Sequence, residues 1–403
     1  MLSKLKLASK KFLYRNNLEY KRYFIKEQKI KHRLTIITGQ RGVGKTTTIA
    51  QYMAINSHLE SLYVSMDSFL LGKLSMYEIA ETFEMEGGKL LCFDEIHKYA
   101  NWSQELKTIY DEFPNLQVIA SGSSALEINK GSHDLSRRAH QLKMYGMSFK
   151  EYLELTLNIE LKTFTLEEIL SHHETIAFDM VMQFEDLDKK ILPLFKQYLK
   201  TGYYPYSLSV ADEEVFFDML KQNIHISISS DLLFVYPSLD GNSIKKLKLL
   251  LSIIMESVPF VPQIEKLKNM LEIGDGRTLK EYFIKLEEAG ILKLLMKSSS
   301  KGLSRLEKPE KIYLNNSNLL YITEANIGTV RETFFLNVLS KSHDVTYPKK
   351  GDFLVDKNYL FEIGGKNKSF KQIKDVSNFF VVADDIEVGF GNRIPLWLFG
   401  FLY

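Results

Sequence analysis

The sequence predicts an α/β protein built on a parallel sheet with helices on both faces. Apolar runs of strand length recur through the first 155 residues, and helical segments separate them. Such runs, buried on both faces, are typical of parallel sheets. A glycine-rich loop joins the first run to a helix and favours the same class. The 403 residues, 45% hydrophobic and 25% charged, are enough for a large core and for two or three domains.

The first predicted domain, residues 1–155, contains five strands. They are expected at residues 34–38, 61–66, 89–93, 116–120 and about 140–145. A helical linker or lid over residues 156–240 follows. Residues 241–325 are predicted to form a winged helix-turn-helix, with helices at 244–255, 264–271 and 278–289 and strands at 291–296 and 312–314. Residues 326–403 are predicted to form a small α/β domain, with helices at 330–340 and 370–378 and strands at 351–355, 359–363 and 379–382.

The phosphate-binding motif G-x-x-x-x-G-K-[ST] is complete at residues 39–46, between a predicted strand and a predicted helix. Its glycines let the backbone curl so that successive N–H groups point at phosphate oxygens, and the helix adds the positive end of its dipole. Lys45 is expected to reach the β- and γ-phosphates, and Thr46 to bind Mg²⁺. The predicted nucleotide-binding residues are Gly39, Gln40, Arg41, Gly42, Val43, Gly44, Lys45, Thr46 and Thr47.

Two adjacent acids, Asp94 and Glu95, end the third predicted strand on the side where the phosphate loop opens. Asp94 is expected to hold Mg²⁺ together with Thr46, and Glu95 to polarise the attacking water. The alternative is a simple cap at the strand end. The strand at 61–66, between the loop and these acids, fits the subclass that has an extra strand and a catalytic glutamate. The guanine-reading motif N-K-x-D does not occur, which favours ATP over GTP.

Residues beyond the fourth strand are candidates for contact with the γ-phosphate. Ser121 or Ser123 ends that strand, and a polar side chain there can sense the terminal phosphate, although serine and glycine also form ordinary turns. Arg137 and Arg138 follow. Either could act as an arginine finger across a subunit or domain boundary, and we favour Arg138. The alternative is a pair of surface cations.

Charge is concentrated at the N-terminus. Residues 1–33 hold 11 Lys/Arg against two acids, while the whole chain has a net charge of +2. This predicts a solvated helix face, with contact to nucleic acid or anionic lipid as the alternative. The helix predicted at 278–289 mixes lysines with glutamates, which is unfavourable for binding a DNA groove and leaves contact with protein or a lid role as alternatives.

The sequence also gives an expectation for the cellular location of the protein. Its one cysteine, Cys92, lies inside an apolar run, so no disulfide can form within the chain, as in a reducing cytosol. The N-terminus lacks the continuous apolar segment and cleavage site of a secretory signal. The longest apolar stretches, near 249–255 and 394–403, are too short to span a bilayer. We expect a cytoplasmic protein that does not span the membrane.

Several of these motifs together resemble one family, the AAA ATPases that carry a C-terminal DUF4143 domain. The resemblance covers nearly the whole chain and implies an AAA+-type P-loop core, a winged helix and a nuclease-like tail. It rests on residues 39–46, 94–98 with Trp102, 121–124, Arg138 followed by 147–152, 202–205 and 308–316.

Acidic residues in the tail are similar in pattern to the PD-(D/E)xK core of restriction endonucleases. Asp352 and Glu362 lie on consecutive predicted strands, Glu332 on the preceding helix, and Lys366 after a Gly-Gly turn. That chemistry needs acids to hold Mg²⁺ and a lysine to position water. The usual spacing is an acid, any residue and then a lysine, but here Glu362 is followed by Ile363 and Gly364. Either Lys366 completes the site or the site is inactive. A third interpretation is that these are ordinary charged residues at the ends of strands. Further candidates for phosphate contact are Gln372 and Lys374.

The leading functional hypothesis is an ATPase whose nucleotide state moves the winged-helix and nuclease-like domains, with ATP and Mg²⁺ as cofactors and DNA as the client. One alternative is an ATP-gated, metal-dependent DNA nuclease. Another is a slow nucleotide-dependent switch that binds a protein partner. The chain could also form a homo-oligomer, because an arginine finger that acts between subunits requires a second copy of the chain.

Overall fold

The structure, a computed structural model, describes residues 2–27, 29–72, 74–123, 135, 137–297, 308–369 and 377–403. The chain divides into two compact units. The first comprises Met1–Gly146, His225–Asp240 and Glu288–Gly290, and the second comprises Met147–Ile224, Gly241–Glu287 and Ile291–Tyr403. The predicted helix at 370–378 lies mostly outside the described residues, as do Gln372, Lys374 and Ser124. The predicted four-domain division stays a prediction.

The first unit contains a five-stranded parallel sheet in the order β2-β3-β4-β1-β5. Its register places Ile36 opposite Ala120 and Cys92 opposite Ile119, so the carboxyl ends of the central strands meet at one edge. The predicted parallel α/β sheet is confirmed, and β4 extends three residues beyond the prediction. The strands are β1 (Leu34–Gly39), β2 (Ser61–Ser65), β3 (Leu90–Asp94), β4 (Gln117–Ser123) and β5 (His140–Lys143).

Helices cover this sheet. The N-terminal helix packs on the edge strand β2: the Ser9 hydroxyl accepts a hydrogen bond from the main-chain N–H of Tyr63 (2.9 Å), and the rings of Phe12 and Tyr63 stack with centroids 3.4 Å apart. Segment His225–Asp240 adds a π-helical turn, Ser227–Asp231. The helices of this unit are α1 (Leu2–Asn16), α2 (Tyr23–Lys26), α3 (Lys45–Ile55), α4 (Met76–Met85), α5 (Trp102–Glu112) and, within His225–Asp240, α10 (Leu232–Val235).

Aromatic side chains form much of the core of the second unit. The ring centroids of Phe149 and Phe195 are 5.1 Å apart, and those of Phe195 and Phe334 are 5.0 Å apart, both in edge-on contact. The first helix of this unit begins with a capping box in which Ser148 and Glu151 each bond the other's backbone N–H. The remaining helices are α6 (Phe149–Leu157), α7 (Leu166–Asp186), α8 (Ile191–Gln197), α9 (Glu213–Ile226), α11 (Gly241–Met255), α12 (Ile264–Met270), α13 (Gly276–Glu288), α14 (Ser317–Leu320) and α15 (Ile327–Leu339).

The second unit contains the five predicted strands and two further short strands, Val345–Thr346 and Arg393–Pro395, that were not predicted. After α11, α12 and α13, strands β6 (Leu292–Leu295) and β7 (Lys311–Leu314) pair as an antiparallel hairpin, as the winged-helix prediction requires. A second five-stranded sheet then forms in the order β12-β11-β10-β9-β8. In it β10 is antiparallel to β9 and parallel to β11. Its strands are β8 (Val345–Thr346), β9 (Phe353–Val355), β10 (Tyr359–Gly364), β11 (Phe379–Ala383) and β12 (Arg393–Pro395).

Candidate functional site

The phosphate loop lies between β1 and α3, at the carboxyl edge of the parallel sheet. Gly42 and Gly44 have φ angles of +85° and +100°, in the left-handed region that glycine adopts without strain. Gly44 directly precedes α3, so the loop and the first turn of the helix, which includes Thr47, present unpaired N–H groups. The side-chain amide of Gln40 donates to the main-chain oxygen of Gly290. The loop therefore has the backbone shape that binds phosphate oxygens.

Lys45, the first residue of α3, is buried with its ammonium inside the loop. It donates hydrogen bonds to the main-chain oxygens of Gly39 (2.8 Å) and Gln40 (3.0 Å). Burial lowers the pKa of Lys45, and the negative charges of Glu95 and Asp94 oppose that shift. Phosphate oxygens entering the loop would compete with the two carbonyls for this ammonium.

Asp94, at the carboxyl end of β3, is the centre of a hydroxyl cluster. Its Oδ2 accepts hydrogen bonds from the hydroxyls of Thr46 (2.9 Å) and Tyr63 (2.8 Å), and its Oδ1 accepts one from the hydroxyl of Ser121. Burial, with the charge of Asp94, raises the pKa of Tyr63, so this phenol stays a donor. Three hydroxyls therefore fix the orientation of a single buried carboxylate.

The predicted Mg²⁺ residues fit a magnesium ion in their chemistry. The hydroxyl oxygen of Thr46 and the carboxylate of Asp94 are adjacent, and both are the hard oxygen ligands that Mg²⁺ prefers. Magnesium in phosphate-loop sites is held by few protein groups together with the nucleotide and water, so one carboxylate and one hydroxyl are sufficient.

Glu95 occupies an unusual backbone position immediately after β3. Its φ is +56°, a left-handed value that is uncommon for a residue other than glycine. Its main-chain N–H donates to Oδ1 of Asp94 (3.0 Å), and its Oε2 lies 3.3 Å from Nδ1 of His97. With its side chain 23% exposed, the carboxylate is open to solvent while its neighbours are buried. This position can deliver a base to a water molecule beside the loop.

His97 links Glu95 to two further groups. Its Nδ1 accepts a hydrogen bond from the main-chain N–H of Ser123 (3.3 Å), and its Nε2 lies 3.4 Å from Oδ1 of Asp231. Asp231 also accepts two hydrogen bonds from the guanidinium of Arg41, at 2.9 and 3.1 Å. The structure thus brings Lys45, Thr46, Asp94, Glu95, Ser123 and Arg41 to one edge of the sheet.

Two residues of this cluster carry no recognisable signal in the sequence. Tyr63 lies on the second strand, where its aromatic ring only indicates a strand residue. Asp231 is 190 positions from Arg41 in a helical region, and only the folded chain places it beside the loop. A carboxylate that is 3% exposed would be expected to have a buried partner, but burial of a polar residue cannot be deduced from its neighbours in sequence.

Arg138 lies away from the phosphate loop. Its Nε and NH2 bond the carboxylate of Asp111 at 2.7 and 3.0 Å. Asp111 is near the end of α5, and Arg138 precedes β5, so both belong to the edge of the sheet where strands begin. Within one chain Arg138 is therefore at the opposite edge from the loop. A finger role would require a second copy of the chain and stays a prediction.

The C-terminal candidates meet around a different lysine from the one predicted. Glu362, on β10, is 2% exposed and pairs through Oε1 with the ammonium of Lys368 at 2.7 Å. The Oδ2 of Asp352 accepts a hydrogen bond from the main-chain N–H of Ile363 (2.8 Å). The assignment of Lys366 as the lysine of this cluster is corrected. After the Gly364-Gly365 turn it is the side chain of Lys368 that packs against Gly364 and pairs with Glu362.

Glu332 is the third acid of this cluster. It accepts a hydrogen bond from the Tyr313 hydroxyl (2.6 Å) and lies 3.9 Å from the Lys311 ammonium. Burial raises the pKa of Glu332, the Tyr313 hydrogen bond lowers it, and the nearby charge of Asp352 adds to the rise, so the pKa is raised overall. In the part of the chain that the structure describes, no group of three His, Cys, Asp or Glu side chains is arranged to hold a metal ion.

We expect Lys368→Met to lower the free energy of unfolding by roughly 2–3 kcal/mol, because it leaves the buried Glu362 carboxylate without a counter-ion. Urea unfolding of the full chain measures this. The double variant Lys368→Met with Glu362→Gln should recover part of the loss, since no unpaired charge then remains. Lys366→Met is the matched control and should change little. Equal destabilisation by the two lysine variants would contradict the assignment of Lys368.

The solved structures that are similar in part to this chain include an ORC1 protein and a DnaA protein. The Aeropyrum pernix ORC1 protein in complex with DNA aligns with a TM-score of 0.29 and 13% identity, over 72% of this chain and 85% of the other. AMPPCP-bound DnaA from Aquifex aeolicus aligns with a TM-score of 0.27 and 15% identity, over 66% of this chain and 87% of the other. Among the described helices, none is both long and apolar enough to cross a membrane.

Family models match two parts of the chain. The model "AAA domain" (AAA_14) matches residues 31–153. The model "Domain of unknown function (DUF8612)" matches residues 192–327, and so differs from the DUF4143 domain that the sequence motifs suggested. The uncharacterized protein MJ1637 of Methanocaldococcus jannaschii is 30% identical over 440 aligned positions, which cover 97% of this chain and 90% of the relative. The chain therefore contains an AAA domain with a P-loop nucleotide-binding core, and it belongs to the same family as protein MJ1637.

Proposed function

We propose that this chain binds ATP with Mg²⁺ at its phosphate loop and hydrolyses the terminal phosphate. The observation that supports this most strongly is the convergence of Lys45, Thr46, Asp94 and Glu95 at one edge of the sheet. Each has the chemistry that its place requires: a cation inside the loop, a hydroxyl beside a carboxylate, and a partly exposed second carboxylate. A cytoplasmic location is part of the proposal, since Cys92 is a buried thiol without a disulfide.

In the proposed mechanism the ammonium of Lys45 exchanges its two main-chain acceptors for phosphate oxygens. Thr46 and Asp94 would hold Mg²⁺, which neutralises charge on the phosphates when it is bound. Tyr63 and Ser121 keep the Asp94 carboxylate directed at Thr46. Glu95 orients the attacking water and accepts its proton, a task for which its carboxylate must remain ionised and accessible.

Steady-state ATP hydrolysis by the full chain with Mg²⁺ tests this proposal. Turnover that is lost in Lys45→Ala would support it. Tight ATP binding by the unmodified chain without any turnover would instead favour the nucleotide-dependent switch that binds a protein partner. Failure to bind ATP at all would refute both.

Nucleic acid is the client that we propose, on the basis of the outer face of α1. Lys4, Lys11 and Arg15 are exposed and fall within about 40° of one another on a regular helix, opposite the face that packs on β2. They span roughly 16 Å along the helix axis. Tyr14, 92% exposed, lies beside them. A row of cations next to an exposed aromatic ring suits contact with phosphates and bases.

Some other cations of the N-terminal region have structural partners and are less available for this contact. Lys6 pairs with Glu86 (2.8 Å), and Arg33 donates to the main-chain oxygens of Tyr110 and Phe113. The number of basic residues in the sequence therefore overstates the basic surface. Tyr63 stacks on Phe12 of α1 and donates a hydrogen bond to Asp94. It therefore connects this helix to the proposed ATPase site through two direct contacts.

Replacing Lys4, Lys11 and Arg15 with glutamine should weaken DNA binding and reduce the slope of log affinity against log salt concentration by about 2.7, as expected for three lost phosphate contacts. Fluorescence anisotropy with a labelled oligonucleotide over a salt series measures both quantities. A variant with glutamine at the exposed Lys189, Lys190 and Lys266 makes the same change in net charge and should leave the slope unchanged. Equal slopes in the two variants, or binding of anionic vesicles alone, would contradict the assignment.

The second candidate function is a metal-dependent nuclease gated by ATP. It is favoured by Oε2 of Glu362, which is buried without a hydrogen-bond partner in the described part of the chain and lies in the same cluster as Asp352 and Glu332. Cleavage of DNA that requires Mg²⁺ and disappears in Glu362→Ala would support it. If Glu362→Ala destabilises the chain and no cleavage is seen in the unmodified protein, the cluster is a structural ion pair. A winged-helix contact with DNA and a nuclease fold of the tail belong to the same proposal.

A further inference from the structure

Asp231 lies at the junction of the two loops that form the ATPase site. It belongs to the π-helical turn of segment His225–Asp240 and is 3% exposed. Its carboxylate takes two hydrogen bonds from Arg41 of the phosphate loop and lies within reach of His97, two residues after Glu95. One buried side chain from a distant part of the sequence thus contacts both the phosphate loop and the segment that follows β3.

The surroundings of Asp231 favour its charged form. Burial alone would raise the pKa of Asp231, but the His97 hydrogen bond and the positive charge of Arg41 more than offset this, and the pKa is lowered. Lys98 adds a second cation, 4.0 Å from Oδ1, and its ammonium is also bonded to the Ser230 hydroxyl (3.2 Å). Asp231 is therefore a fixed negative charge next to the loop that is expected to receive phosphates.

Arg41 is the group through which this charge reaches the site. Its guanidinium is close enough to Lys45 and Glu95 for their charges to affect one another. Both carboxylate oxygens of Asp231 bond the same guanidinium nitrogen, at 2.9 and 3.1 Å. The N–H donors of an arginine bind phosphate oxygens as well as carboxylate oxygens, so a phosphate group and a carboxylate are alternative partners for Arg41.

We propose that Asp231 is a positioning residue of the ATPase site that competes with the terminal phosphate of ATP for Arg41 and holds His97 against Glu95. The inference rests on the proposed ATPase function. It implies that ATP, and not ADP, draws Arg41 away from Asp231, because only ATP carries the terminal phosphate. It also implies that the His225–Asp240 segment responds to the nucleotide through this one carboxylate.

The test is Asp231→Asn, which keeps the size of the side chain and removes its charge. Affinity for the non-hydrolysable analogue AMPPCP should increase roughly tenfold and affinity for ADP should change by less, because a competitor for Arg41 has been weakened. Turnover of ATP should fall about tenfold, because His97 and Glu95 lose a charged anchor. Tighter binding combined with slower turnover is a result that mere loss of structure would not give.

Two further variants separate the explanations. Asp179→Asn removes the same charge from an exposed position on α7 and should alter neither quantity. In an Arg41→Gln background, Asp231→Asn should no longer tighten AMPPCP binding, since the two residues act as a pair. Tightening that persists there would mean simple charge repulsion and would overturn the proposal. Equal weakening of AMPPCP and ADP, with a lower melting temperature, would do the same.

These outcomes are distinct from failure of the ATPase function itself. If the unmodified chain neither binds AMPPCP nor hydrolyses ATP, the proposed function is wrong and the role of Asp231 fails with it. If the unmodified chain does both and Lys45→Ala does neither, the ATPase function stands, and the Asp231 variants alone decide the positioning role. Calorimetry with AMPPCP and ADP provides the binding values without any turnover.

Discussion

ATP turnover by the Glu95→Gln variant is expected to fall by about two to three orders of magnitude, while ATP binding stays near that of the unmodified chain. Glutamine keeps the shape of the side chain and its place after β3 but cannot accept a proton from water. Glu95 makes no hydrogen bond to the phosphate loop in the described contacts, so the substitution leaves the groups that hold the phosphates in place. Steady-state hydrolysis and calorimetry with ATP measure the two effects separately.

Two control variants make this result specific. Lys45→Ala should lose binding as well as turnover, because its ammonium is the cation inside the loop. Glu84→Gln, on α4 away from the site, should alter neither. Turnover by Glu95→Gln within threefold of the unmodified chain would show that another group activates the water, and His97, 3.3 Å from Glu95, would be the first to examine.

The second large effect is expected from Arg22→Ala, which should lower the free energy of unfolding by about 3–5 kcal/mol. Arg22 is buried and donates to the main-chain oxygens of Val43 (2.6 Å), Tyr145 (3.0 Å) and Gly146 (2.8 Å). The substitution removes the donor of all three hydrogen bonds. Because Val43 is part of the phosphate loop, ATP affinity should fall together with stability.

Urea unfolding and ATP titration test both parts of this prediction. Arg22→Lys should recover only part of the stability, because one ammonium lacks the planar fork that reaches several carbonyls at once. Lys21→Ala, an adjacent but exposed cation, is the matched control and should behave like the unmodified chain. If Arg22→Ala were as stable as Lys21→Ala, water would have to satisfy the three carbonyls.

The sequence was sufficient to predict which residues of the proposed ATPase site lie together, because their positions depend on local patterns. Lys45 and Thr46 follow a glycine loop, and Asp94 and Glu95 end an apolar strand, so the strand order of a parallel sheet is enough to bring them together. The central strands of that sheet, β1, β3 and β4, were predictable for the same reason, since each is a short buried run. Local patterns thus determine both the fold class and these four residues.

What could not be predicted depends on contacts between distant segments. Asp231 reaches Arg41 only after the chain has folded, and no spacing rule connects the two. Lys368 replaces Lys366 because the path of a glycine turn, and not the count of residues, decides which lysine faces Glu362. Arg138 precedes β5 and pairs with Asp111, so within one chain it lies away from the phosphate loop, and its role as an arginine finger stays a prediction.

The π-helical turn Ser227–Asp231 has a consequence for how this family varies in length. A π-helical turn contains one residue more than the α-helical turn that it replaces. Loss of a single codon within it would let the turn close as a regular helix without a large rotation of the side chains that follow, because the wider turn already accommodates the extra residue. The same loss in a regular helix would rotate the following side chains by about 100°. Among relatives, a one-residue difference in length is therefore expected within Ser227–Asp231 rather than in the helices on either side of it.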